Sequence, residues 1–196
     1  MKAILLLVSF FVLCVSTTGV VADHKSHKNK KPKNCKIHKT YPKAQAEVLA
    51  TFEAIAKSIT AGAGHGSHSK FMDRLISFHA YGDKFVEFNA GQAIDSAGNE
   101  INERTFFGTI VAKGGVQQFA PIEGTLKVAV YCGNVANLTF ISDFILNNDP
   151  DLDPVNEYTV NNLITLLFVK TKGKWKMVHE HHSQCNEVQC PKPPVN

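Results

Sequence analysis

From Ala44 the apolar residues Val48, Leu49, Phe52, Ile55, Ala56 and Ile59 recur at helical spacing, and Gly62 and Gly64 end the pattern. This predicts one amphipathic helix with Pro42 near its first turn. The Gly-rich stretch from Ala61 to His68 reads as a flexible linker, and a second short helix follows from about Ser69 to Tyr81-Gly82. Its buried side is supplied by Phe71, Met72, Leu75, Ile76 and Phe78. The period then changes to two. Lys84 to Asn89 alternates as a strand, Asp95 to Asn99 reads as a turn, and Asn99 to Phe107 as a brief helix with Phe106 and Phe107 inward. Strands follow over roughly 116–131, 135–146, 158–170 and 174–184. Helices first and an antiparallel meander last predict an α+β domain with one sheet curled around a helix.

The last strand carries the most specific signal: Gly173-Lys-Trp-Lys-Met-Val-His-Glu-His-His-Ser183. At a two-residue period it sends Trp175, Met177, His179, His181 and Ser183 to one face, and Lys174, Lys176, Val178, Glu180 and His182 to the other. It is apolar at its start and ionisable at its end, which suits a strand running from a core into a cavity or an interface.

Composition divides the chain. Lys2 precedes an apolar run from Ala3 to Val15, and Val20-Val21-Ala22 offers a small-residue cleavage site, so residues 1–22 read as a secretory signal peptide and the protein as secreted or periplasmic. Residues 23–43 hold eight lysines against one acid, a basic flexible tail suited to contact with polyanions, or simply to solubility. Residues 44–184 form the domain, and residues 185–196 a tail rich in Cys and Pro. No nucleotide-binding glycine loop, nucleophile elbow or four-ligand zinc spacing is present, and no cofactor is expected.

The closing segment, with the long strand Tyr158 to Lys170 before it, resembles the last hairpin of the SnoaL-like proteins of the nuclear-transport-factor-2-like superfamily. It is most similar there to the association domain of calcium/calmodulin-dependent protein kinases. Gly98-Asn-Glu-Ile-Asn-Glu-Arg104 resembles the short helix after their first strand. The resemblance spans about residues 44–184. It implies a cone: a bent antiparallel sheet wrapped around the N-terminal helix, with a pocket at the open end and dimers or rings formed through the outer face.

In the association domains the basic residue before the final serine projects into the pocket, and His182 holds that place. Strand parity then turns Glu180 and Val178 inward, and Trp175, Met177, His179 and His181 outward towards a second copy of the chain. Asp143, with Thr139 and Ile141, is expected on the interior of the neighbouring strand, unless a one-residue slip exchanges them for Phe140 and Ser142. Asp143, Glu180 and His182 are thus the pocket candidates, able to exchange protons or to hold a small molecule; a charged His182 suits an anion. An isomerase or cyclase activity and an assembly role without chemistry are the alternatives. His179-x-His181 invites a metal, but His182 lies on the opposite face, so no metal site is assigned. Four cysteines follow the leader, and an even count in an exported chain favours disulfides. Cys132 and Cys185 fall at opposite ends of the meander, leaving Cys185 to pair with Cys35 or Cys190. The sequon Asn137-Leu-Thr139 requires Asn137 to be accessible.

Overall fold

The computed structural model describes residue 35 and residues 38–147 and 157–185. The expected leader at 1–22, most of the basic segment at 23–43, residues 148–156 and Cys190 lie outside the described residues.

Helix α1 (Pro42–Gly62) buries Ala44, Val48, Phe52, Ile55 and Ile59, the stripe its sequence spacing predicts. Helix α2 (Lys70–Ile76) is capped by Ser69, whose hydroxyl accepts from the Met72 N–H at 3.3 Å. The linker between them is more constrained than its composition implies. Gly64 N–H donates to the Phe107 carbonyl at 2.8 Å and Gly66 N–H to that of Gly108 at 2.7 Å. A Cβ on Gly64, where φ is +70°, would lie 2.2 Å from the Lys113 nitrogen, so only glycine fits this contact.

Strands β1 (Val86–Asn89) and β2 (Gln92–Ile94) form a hairpin. Helix α3 (Ser96–Thr105) begins earlier than its sequence pattern indicates, because the Asp95 carboxylate accepts from Gly98 N–H at 2.8 Å and turns the expected loop into a capped first turn. A π-helical turn, Phe106–Ile110, follows. It buries Phe107 and leaves Phe106 38% exposed, with both rings bordering the interior cavity.

The remaining strands are β3 (Val116–Pro121), β4 (Lys127–Tyr131), β5 (Val135–Asn147), β6 (Glu157–Val160), β7 (Asn162–Thr171) and β8 (Lys174–Gln184). The sheet runs β2-β1-β8-β7-β5-β3, with β4 and β6 also paired to β5, and only β1 and β8 are parallel. Two strands that read as continuous in the sequence are broken where they pass the middle of β5. Between β3 and β4, Thr125 Oγ1 accepts from Ile141 N–H at 3.2 Å, and between β6 and β7, Ser142 Oγ accepts from Asn162 N–H at 2.9 Å. Side-chain hydroxyls thus satisfy backbone groups that the interrupted ladders leave, and the sheet changes direction on both sides of Ile141–Ser142. α1 packs across the inner face, with Phe52 edge-on to Phe140 at 5.0 Å.

A β-bulge reassigns the faces of β8. Leu167 pairs with His179 but Phe168 with Met177, leaving Val178 as the extra residue. Trp175 and Met177 are consequently 4% and 2% exposed in the core, on the same side as Glu180, and not on the outer face with His179 and His181. The indole N–H of Trp175 donates to Glu47 of α1 at 3.2 Å, and Lys170 pairs with the same carboxylate.

Cys35 is bonded to Cys132, at the β4–β5 turn, with a Cα–Cα distance of 5.0 Å. The pairing of Cys35 with Cys185 is therefore corrected: the β4–β5 turn sits beside Tyr41, whose ring is near Gly133, so the segment entering α1 passes Cys132. Cys185 is itself disulfide-bonded.

Candidate functional site

Bending the sheet around α1 leaves a cavity of about 590 Å³ that the core does not fill. Its walls are apolar: Ile55 and Ile59 of α1, Leu75 of α2, Phe119 and Phe144 of the sheet, and Phe107 of the π turn. One end gathers ionisable side chains from four segments. His79 follows α2, Glu87 lies on β1, Glu103 on α3, and Glu180 and His182 on β8. Volume and composition are those of a small-molecule site.

The bulge at Val178 and the chain after α2 together place the central pair. Met177 N–H donates to the Phe78 carbonyl at 2.8 Å, and Ala80 N–H to the Met177 carbonyl at 2.7 Å. This short parallel bridge fixes His79 beside Glu180. His79 Nδ1 lies 3.1 Å from the Leu75 carbonyl, and its Nε2 2.8 Å from Glu180 Oε1. Both ring nitrogens face oxygen acceptors, so both carry protons when Glu180 is ionised. Burial alone would pull this imidazole down, but the hydrogen bond and charge of Glu180 outweigh it and hold His79 above its ordinary value. The same competition runs in reverse at Glu180. Burial pushes its carboxyl up, yet hydrogen bonds from His182 at 3.3 Å and His79 hold it well below the usual carboxylate range. At His182 burial again works against the charged form, and Glu180 raises the group above its ordinary value.

A second layer supports these groups. Asn99, fully buried on α3, donates to Glu87 Oε2 at 2.8 Å and to Glu180 Oε1 at 3.4 Å, while Tyr81 O–H donates to its side-chain oxygen at 2.5 Å. Asn89 donates to Glu87 Oε1 at 2.9 Å. Tyr81 stacks on His79 with centroids 4.9 Å apart, and burial raises its phenol. Glu103 differs from the other two carboxylates. It lines the cavity, and among the described residues no donor is placed on its carboxyl. Burial first, and then the negative charge of Glu180, push it up to about 8.

The sequence candidates are thus divided. Glu180 and His182 line the cavity; Asp143 does not. The one-residue alternative holds on β5: Ser142 and Phe144 face the cavity, and Asp143 on the other side accepts from Gln118 Nε2 at 2.5 Å. Val178, expected inward, is the bulged residue and not part of the lining. His179 and His181 are on the outer face, each edge-on to Phe88, and His179 Nδ1–H donates to the Val86 carbonyl at 2.8 Å. Sequence reasoning missed Glu87, Asn99 and Glu103 and gave His79 no place in the pocket. Asn99 and Glu103 are four apart on α3, and that spacing was the available signal.

The family profile of the SnoaL-like domain matches residues 48–187, and the chain belongs to that family. Solved structures agree on the fold. A nuclear transport factor 2 (NTF2-like) superfamily protein from Salmonella enterica superposes with a TM-score of 0.57 at 13% identity, covering 78% of this chain and 98% of that one. The CamKII hub homology domain of Chlamydamonas reinhardtii gives 0.52 at 20% identity, covering 73% and 99%. A provisionally assigned dehydratase of the NTF2-like family from Streptomyces avermitilis gives 0.56 at 14%, covering 74% and 99%. No curated protein matches the chain. The architecture is accordingly the NTF2-like α+β cone, its curved sheet closing on the N-terminal helix.

Proposed function

We propose that this SnoaL-like protein is a secreted small-molecule binder that takes a ligand with an apolar body and one polar group into the cavity between α1 and the sheet. The observation that carries this is the unfilled volume of about 590 Å³ with largely apolar walls and one cluster of ionisable side chains. Secretion is supported by the leader pattern at residues 1–22 and by the Cys35–Cys132 bond, since disulfides persist in oxidising compartments. No helix among the described residues is long and apolar enough to cross a membrane.

Binding is tested by a thermal-shift screen of apolar small molecules against the wild type and the cavity-filling Val160→Trp. A ligand at a hundred times its Kd should stabilise the protein by about 3 kcal/mol. The variant should respond less to the same ligand and keep its size in light scattering. A screen in which no compound raises the Tm, or in which a folded Val160→Trp responds equally, would count against the reading.

A self-assembly role is favoured by a separate observation. Phe88 and Leu163, 45% and 39% exposed, flank His179 and His181 on the outer face, which offers an apolar surface to a second copy. The likeness to a CamKII hub homology domain supports the same reading.

A further inference from the structure

We propose that the polar group this cavity receives is a cation, a protonated amine or quaternary ammonium on an apolar or aromatic body, paired with Glu103. The proposal rests on the small-molecule reading above and names the ligand class for that site.

Charge decides the sign. The titratable groups facing Glu103 are Glu180 and His182 from β8, His79 from the α2–β1 connection, and Glu87 from β1, with Tyr81 nearby. The lining contains three carboxyl groups, two imidazoles and, among the described residues, no Lys or Arg. Both imidazoles are committed to Glu180, so neither offers an unspent positive charge to an anion. With both imidazoles paired to Glu180, a negative charge on Glu103 meets no cation of its own among the described residues of the lining. Glu180 and Glu87 already accept from protein donors; among the described residues the carboxyl of Glu103 has none. A cation beside it would supply the missing partner.

The walls suit the same ligand. Phe106, Phe107, Phe119, Phe144 and Tyr158 line the cavity, and ring faces attract organic cations where water is excluded. An anion would meet the carboxyl of Glu103 and the negative faces of these rings. Pairing also has a proton consequence. Glu103, pushed up to about 8 by burial, must release its proton to accept the cation, so binding of a permanent cation expels a proton near neutrality.

The test uses the full chain, benzyltrimethylammonium and its neutral isostere neopentylbenzene, with a neutral phenylnaphthylamine dye as a report on the cavity itself. Calorimetry in buffers of different ionisation enthalpy reads the proton release, which needs no variant. The cation should bind about tenfold or more tightly than the isostere, releasing about one proton at pH near 7 and almost none above about pH 9. Glu103→Gln should remove both the preference and the release. Equal or tighter binding of the isostere, or a preference that survives in Glu103→Gln, overturns the cation assignment while dye binding leaves the cavity reading intact. If the dye also fails to bind, the cavity reading falls and takes this proposal with it.

Discussion

Replacing Glu103 by Gln tests the electrostatics of the cavity without filling or emptying it. The folded protein holds a proton on Glu103 up to about pH 8, whereas the unfolded chain releases it near 4.5. Over that window the native state binds more protons, so stability falls as pH rises and levels off above the folded value. One pH unit corresponds to about 1.4 kcal/mol, so the loss between about pH 5 and pH 8 is bounded near 4 kcal/mol. Gln keeps the shape and cannot ionise, and this loss should vanish. His79 and His182 titrate in both proteins, and each is raised in part by the charge of Glu103, so the difference between the two stability curves reports Glu103 together with its coupling to these imidazoles. Urea unfolding of wild type and Glu103→Gln at several pH values gives the comparison directly. The variant should gain on the wild type by at least about 1 kcal/mol between about pH 5 and pH 8. Curves that run parallel across this range would refute the assignment of a half-buried cavity carboxyl held protonated.

Other predictions follow from the same geometry. His79→Ala leaves Glu180 buried with its nearest cation gone and should cost about 3–5 kcal/mol in denaturant unfolding at about pH 6. Because the His79 value is raised by folding, its stabilisation is complete below about pH 6.5 and fades as pH climbs through the folded value; a cost that grows with pH would contradict this. Cys35→Ser together with Cys132→Ser removes a cross-link spanning a sequence separation of 97 and should lower stability by about 2–4 kcal/mol; an unchanged Tm would mean that the link constrains nothing. Met177→Asp puts a charge in the core at a site 2% exposed and should unfold the domain outright. Leu163→Asp on the outer face should lower the mass in light scattering with little loss of fold, and a variant that keeps its mass would remove the assembly role from this face.

The fold was legible because most elements carry their own period. α1 announces itself by five inward positions, and β5, β7 and β8 by length and alternation bounded by turns. What escaped the pattern was breakage within strands. Ser142 and Thr125 satisfy the interruptions beside β5 through hydroxyls, a use that leaves no periodic trace. The bulge at Val178 had the largest consequence. One extra residue reverses parity, so His182 and Glu180 share the inner face with Met177 and Trp175, a combination that no unbroken two-residue alternation allows. Two of the cavity groups could be reached from the closing strand because they are local to it. His79, Glu87, Asn99 and Glu103 reach the same place from three other segments. Their convergence depends on the Phe78–Ala80 bridge to Met177 and on the Asp95 cap that sets where α3 begins.

The most direct test of the account is whether the cavity accepts a guest. Val160 lines it from β6 at a half-buried position, so Val160→Trp should occupy the volume while the fold survives. A neutral phenylnaphthylamine dye, which brightens in apolar surroundings, is titrated into wild type and variant. The account predicts one saturable site in the wild type that is lost in Val160→Trp, with the two proteins giving the same circular dichroism. Failure of the wild type to bind the dye, or equal binding by a folded Val160→Trp, would contradict it.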